Sequence, residues 1–387
     1  MKSNLANFLS VTILSILSIT NISAQETKPS GGMRTFPMQF SIFYPISTQG
    51  YQTVDYSYNF SLNLLYGKVG GVKGLEISGL FGSAKGDVTG VQIAGLGNAS
   101  NNVKGIQVGG IGNASDNVTG IQIAGIGNAT DDVTGIQIAG LGNAADDVKG
   151  IQIAGIGNAA DDVKGIQIGG IGNAADNVTG IQIAGIGNAA DNITGLQISG
   201  VLNRAKVLKG LQIGLVSIND TIESGISLSI FNIVKKGFYD EWSLTFADYQ
   251  NVGLSYKMGI QRFYTIFTAG ANFLEDKLWV FGIGFGNRTV INRRFDFQPE
   301  IISYQYFPDD FKNVQTVSAN HLKLGLVYKL NDRLGITVAP SVYHLYNDYS
   351  KHQDYSKISP LSPFYKHENT NRLHSIGAGI SAGLILR

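Results

Sequence analysis

An all-β protein in two parts is predicted: a parallel β-solenoid of 15-residue repeats joined to an antiparallel β-barrel. Three observations carry this. The middle of the chain repeats with a strict period of 15, every Phe, Tyr and Trp lies outside residues 90–209, and the flanks alternate large apolar with small or polar residues. Alternation of period two is the mark of a strand, and tandem self-similarity fixes an architecture before any local propensity does.

At the N-terminus, Lys2 precedes an apolar stretch from Phe8 to Ile22 that is diluted with Ser and Thr, followed by Ile22-Ser23-Ala24 and a polar Gln25-Glu26-Thr27-Lys28. This reads as a secretory signal peptide over 1–24, cut after Ala24. A spanning helix needs about 20 continuous apolar residues, which this stretch does not offer. Residues 25–73 are expected to be strands of the barrel-like domain.

The repeat region is assigned to 74–219. From Gly90 the unit Gly-Ile-Gln-Ile-Ala-Gly-Ile-Gly-Asn-Ala-Ala-Asp-Asp-Val-Lys/Thr restarts at Gly105, Gly120, Gly135, Gly150, Gly165, Gly180 and Gly195. Gly74 to Thr89 is a degenerate copy one residue longer, and Gly210 opens a last partial one. Ile121 and Ile123 share one face and Gln122 takes the other. The Ile face is expected inward, with the register reset at each Gly. Stacking in register puts Ile121 over Ile106, and aligns Asn98 to Asn188 and Gln92 to Gln212 as amide ladders. Aspartates from Asp116 to Asp191 stack as like charges, at a cost of roughly 0.9 kcal/mol per pair in water before screening. The alternative makes each repeat one strand of a continuous antiparallel barrel or sandwich. Neighbouring units would then run in opposite directions, and the aromatic girdles of a membrane barrel are missing from the repeat.

Residues 220–387 are assigned to an antiparallel, outer-membrane barrel-like β domain. Trp279, Phe281, Ile283 and Phe285 oppose Val280, Gly282, Gly284 and Gly286; Ile380, Ala382, Leu384 and Leu386 oppose Ser381 and Gly383. Tight turns such as Leu330-Asn331-Asp332-Arg333 on one side and long polar connections such as 347–372 on the other suit a membrane barrel. A soluble sandwich with one wet face would alternate in the same way.

Composition excludes several functions. With 29 basic and 28 acidic residues the net charge is +1, which does not suit a nucleic-acid binder. The absence of Cys removes disulfides, thiolate ligands and thiol nucleophiles. His321, His344, His352, His367 and His374 show no zinc-helix spacing. Ser341 and His344 are close in sequence but on opposite faces of a strand, so they form no hydrolytic pair. The Asp pairs lack the glycine-aspartate nonapeptide of calcium solenoids. No catalytic, cofactor-binding or metal-binding residue is assigned, and no enzymatic activity or cofactor is expected.

The units Gly-Ile-Gln-Ile-Ala-Gly-Ile-Gly-Asn, and especially Gly195-Leu-Gln-Ile-Ser-Gly-Val-Leu-Asn203 and the segment from Gly210 to Asn219, resemble the bacterial surface-repeat family of exported proteins. That family also joins a run of Gly-x-Gln-x-x-Gly-x-x-Asn units to an aromatic-rich C-terminal β region. The resemblance implies a cell-envelope location and supplies no activity. The expectation is an exported protein of the outer membrane or cell surface, in contact with outer-membrane lipid and with a structural or adhesive role. The alternative is an outer-membrane pore with the repeat as plug or vestibule.

Overall fold

The computed structural model describes residues 33–273, 277–308, 317–348, 363–369 and 372–387. The signal-peptide assignment and His352 lie outside the described residues. The described chain forms two compact units, both built of β-strands.

The first unit is a parallel β-solenoid of about 10 turns. Strand β1 (Thr35–Phe43), with the short β2 (Ile46–Ser47) antiparallel to it, pairs in parallel with β3 (Ser57–Val69). The coil continues through β4 (Gly71–Ser78), β5 (Phe81–Ala84) and β6 (Val88–Ala94). One 13-residue strand per turn follows: β7 (Gly97–Gly109), β8 (Gly112–Ala124), β9 (Gly127–Ala139), β10 (Gly142–Ala154), β11 (Gly157–Gly169), β12 (Gly172–Ala184) and β13 (Gly187–Ser199). The final strand, β14 (Leu202–Lys236), gives residues 202–215 and 222–225 to this unit and the others to the second.

Each turn pairs with the next in the repeat's own register: Ile106 with Ile121, Ile121 with Ile136, Asn143 with Asn158. This parallel pairing excludes the antiparallel meander for the repeats. Glycine at the first place of each repeat makes the coil possible. From Gly90 to Gly210 its φ lies between +134° and +150°, which side chains with a Cβ rarely adopt. A Cβ on Gly150 would also strike the carbonyl oxygen of Gly135 one turn below.

Two expectations are corrected. The strands of 25–73 do not join the barrel: β1 and β3 extend the parallel sheet, so the solenoid begins near the N-terminal end of the described chain. No chain has to return from the far end of the rod to complete a barrel. The repeat's polarity is also reversed. Gln122, Asn128 and Val133 are buried, whereas Ile123 points outward. Alternation defines two faces without saying which is inside, and here hydrogen-bonded amides share the interior with the Val row.

The second unit contains β15 (Tyr239–Ala247), β16 (Val252–Ile260), β17 (Phe263–Asn272), β18 (Leu278–Gly286), β19 (Thr289–Val290), β20 (Phe295–Pro308), β21 (Val317–Lys329), β22 (Leu334–Asp348), β23 (Tyr365–Asn369) and β24 (Arg372–Leu386). Eight of these pair as antiparallel neighbours, and β15 pairs with β24 to close a barrel. Closure excludes the open sandwich. The short β19 pairs with β20, and β23 with β24. At the turn between β21 and β22, Asn331 Oδ1 accepts the backbone N–H groups of Arg333 and Leu334, which stops the strand sharply.

Candidate functional site

The barrel has an apolar outside and a mixed inside, in which charged residues lie beside a buried cluster that includes Ile266, Val280, Ile302 and Leu345. Trp242, Leu244, Trp279, Phe281, Leu324 and Leu384 are exposed, while their sequence neighbours point inward. On β18 the inward residues include Gly282, Gly284 and Gly286, and this leaves room for Tyr304, Ile302 and Tyr264 beside them. An eight-stranded barrel is just wide enough for its side chains to fill, so small and large inner residues must alternate.

Inside, charged groups from four strands, Arg288 between β18 and β19, and the chain's last residue form one network. Lys257 Nζ bridges Glu241 Oε1 at 2.9 Å and Glu300 Oε1 at 2.5 Å. Arg387 donates to Glu241 Oε2 at 2.7 Å and to Asp296 Oδ2 at 3.0 Å. Asp296 also receives Arg288 at 2.8 Å and Lys329 at 3.0 Å. The neutral lining completes it: the Tyr239 hydroxyl donates to Glu241 at 2.7 Å, the Tyr264 hydroxyl to Glu300 at 3.0 Å, and Gln298 Nε2 to the Tyr239 oxygen at 3.0 Å. Buried charge is tolerated only when paired and hydrogen-bonded, and these carboxylates are both.

A second cluster is aromatic. The His321 ring lies 4.2 Å from that of Tyr249, 5.1 Å from Tyr304 and 5.3 Å from Tyr343, centroid to centroid. Its Nδ1 is 3.4 Å from Ser341 Oγ.

Ser341 is therefore inside the barrel, and His344 is outside, as their places on one strand predict. His344 Nε2 meets His374 Nδ1 at 3.3 Å, with Tyr346 packed on the His374 ring. Cross-strand pairing sets His367 opposite His374. Sequence spacing groups none of these histidines, because their proximity comes from pairing across the sheet. Among the described residues, no three His, Asp or Glu side chains are arranged to hold a metal ion. The Ser341–His321 contact and the charged lumen were missed. Their signal was present in β21, where His321 and Lys323 alternate with Leu322, Leu324 and Leu326.

The solenoid's interior holds two amide ladders beside its Val row. Each Gln donates Nε2 to the Oε1 of the Gln one turn earlier, from Gln212 down to Gln92, at 2.7–2.9 Å. The chain of bonds ends on Glu76, whose Oε2 accepts Gln92 at 2.7 Å and whose Oε1 accepts Asn63 at 2.9 Å. The Asn ladder runs the opposite way, each Nδ2 from Asn98 to Asn188 donating to the Oδ1 of the next turn. The two rows of amide dipoles are thus opposed. Burial pushes the Glu76 carboxyl up to about 7, partly offset by the hydrogen bonds from Gln92, Asn63 and Ser61. On the outer corner, partial burial and then the flanking aspartates raise the carboxyls of Asp131 and Asp161.

An apolar groove of about 720 Å³ at the N-terminal end of the solenoid is lined by Phe40, Ile42, Ile46, Leu62, Leu64 and Ile77 among others. Comparison with known proteins finds no matching family model, curated protein or solved structure.

Proposed function

We propose that this chain is an exported, non-enzymatic protein of the outer membrane, in which the barrel is a lipid-embedded anchor and the solenoid a rigid structural or adhesive element of the cell envelope. One observation carries the reading: a closed eight-stranded barrel with exposed Trp, Phe and Leu on its wall and ion pairs within. A water-soluble barrel would have the reverse polarity, since apolar surface is driven out of water and unpaired charge is driven into it. The strands also have the right length. The eight wall strands hold 9 to 15 residues, enough to span where about 9–11 tilted residues cross a bilayer.

The pore reading is less favoured, because Lys257, Glu241, Glu300 and Arg387 bridge the lumen. Fractionation of expressing cells tests the proposal. The mature chain is expected in the membrane fraction, released only by detergent, with Gln25 as its first residue. Recovery in the soluble periplasmic fraction would overturn the anchor.

A further inference from the structure

The solenoid's outer surface is divided by charge. In each repeat from Gly90 onward the first eight places, Gly-Ile-Gln-Ile-Ala-Gly-Ile-Gly and its variants, carry no charged residue. Their polar side chains, the Gln ladder and Ser199, are buried. What remains outside is aliphatic: Ile at the second place is half-buried, at the fourth it is exposed (Ile153, 37%), and Leu141 at the seventh is exposed (41%). From 90 to 209 charges fall only at the tenth, twelfth, thirteenth and fifteenth places, as at Asp146, Asp147, Lys149 and Arg204. The exposed apolar residues continue into the first turns through Phe40, Leu64 and Phe81.

We propose that this uncharged strip is a lipid-binding face, by which the solenoid lies against a bilayer with its Asp, Lys and Thr places in water. The ladder register carries the choice of occupant. Ile138, Ile153 and Ile168 are in line, so the surface repeats with every turn, about 4.8 Å apart. A second copy sliding by one turn would meet an identical surface, and the strip has no outward polar side chain to fix one position. Protein interfaces are set by polar groups and shaped pockets. Fluid hydrocarbon needs neither, and an aliphatic face opposite a charged one is how an interfacial element sits on a membrane. The burial of amides and exposure of Ile repeat the polarity of the barrel wall. The inference rests partly on the membrane setting proposed for that wall.

The chain has no cysteine, so single labels are unambiguous. Full-length mature protein carrying Ile153→Cys, Asp147→Cys or Leu324→Cys is labelled with an environment-sensitive fluorophore. Each is reconstituted into phosphatidylethanolamine–phosphatidylglycerol vesicles with or without a spin-labelled lipid quencher, and far-UV circular dichroism checks the fold. The label at 153 is expected to be quenched several-fold more than that at 147. Equal, weak quenching at 153 and 147 overturns the lipid face, and quenching at 324 in the same series leaves the barrel anchor standing. Absence of quenching at 324 overturns the anchor, whatever position 153 shows. Strong energy transfer between donor- and acceptor-labelled 153 copies, without lipid quenching, assigns the strip to a second copy and overturns the proposal.

Discussion

Glu76 stands where every later repeat has Gln, and it is the acceptor on which two rows of donors converge: Gln92 from one side, Asn63 and behind it Gln39 from the other. A carboxylate needs no donor of its own, so it ends a one-way ladder. The cost is its burial. Because its folded pKa, about 7, lies above its ordinary value of 4.5, the folded state holds the proton more firmly across that interval. Stability from this group is therefore full below pH 4.5 and is lost as pH rises to 7, by about 3 kcal/mol. Glu76→Gln restores the repeat's own residue and removes the titration, while its Nε2 takes the place of an oxygen that accepts an amide donor. The variant's urea midpoint relative to wild type is expected to rise steadily between pH 4.5 and pH 7. A gap that stays constant with pH would show that Glu76 does not titrate in this window. The exchange of Gln for Glu is visible in the sequence, but its role is not, since the ladder's direction depends on which way each amide points.

At the scale of the element, the period, the parallel stacking and both amide ladders were legible in the sequence, because in-register stacking follows from identity at every fifteenth residue. The inside was not. Ile121-Gln122-Ile123 gives two faces, and burying Ile is the usual choice. Here a ladder satisfies both ends of each Gln, as for Gln152, which donates to Gln137 and accepts from Gln167. A buried amide whose bonds are all made costs little. Residues 25–73 were misassigned because their aromatic residues match the barrel's, although Tyr58 packs with the Val ladder of the solenoid. The same register yields a prediction. Deleting 15 residues, 150–164, joins Lys149 to Gly165 and keeps every ladder in line, so the chain should fold with one turn fewer and an unchanged strand signal by circular dichroism. Deleting 14, 150–163, shifts the ladders by one place downstream. It sets Gln against Ile and moves the positive-φ glycines off their turns, and should give misfolded, protease-sensitive protein. Equal tolerance of both deletions would be incompatible with ladder-specified stacking.

For the whole molecule, the barrel's lining decides between anchor and channel. Alternation in the sequence predicted the barrel wall, but the ion pairs that fill the interior join residues far apart in the chain. Arg387 reaches Glu241 and Asp296, and Lys257 reaches Glu300. With only eight strands there is room for one layer of side chains, and here those from opposing walls meet. Wild-type protein in planar bilayers should pass no steady ionic current. Removing one charge alone is not the way to open the lumen, because an unpaired partner left in a buried site destabilises by roughly 3–5 kcal/mol. The fourfold change Glu241→Ser, Lys257→Ser, Glu300→Ser and Lys323→Ser removes two charges of each sign together, leaves Arg387 on Asp296, and replaces four buried side chains with short ones that water can solvate. It is expected to produce small, voltage-independent conductance steps while the barrel stays in the membrane fraction. Stepwise current from the wild-type protein would instead favour transport, with the network as a gate rather than a seal.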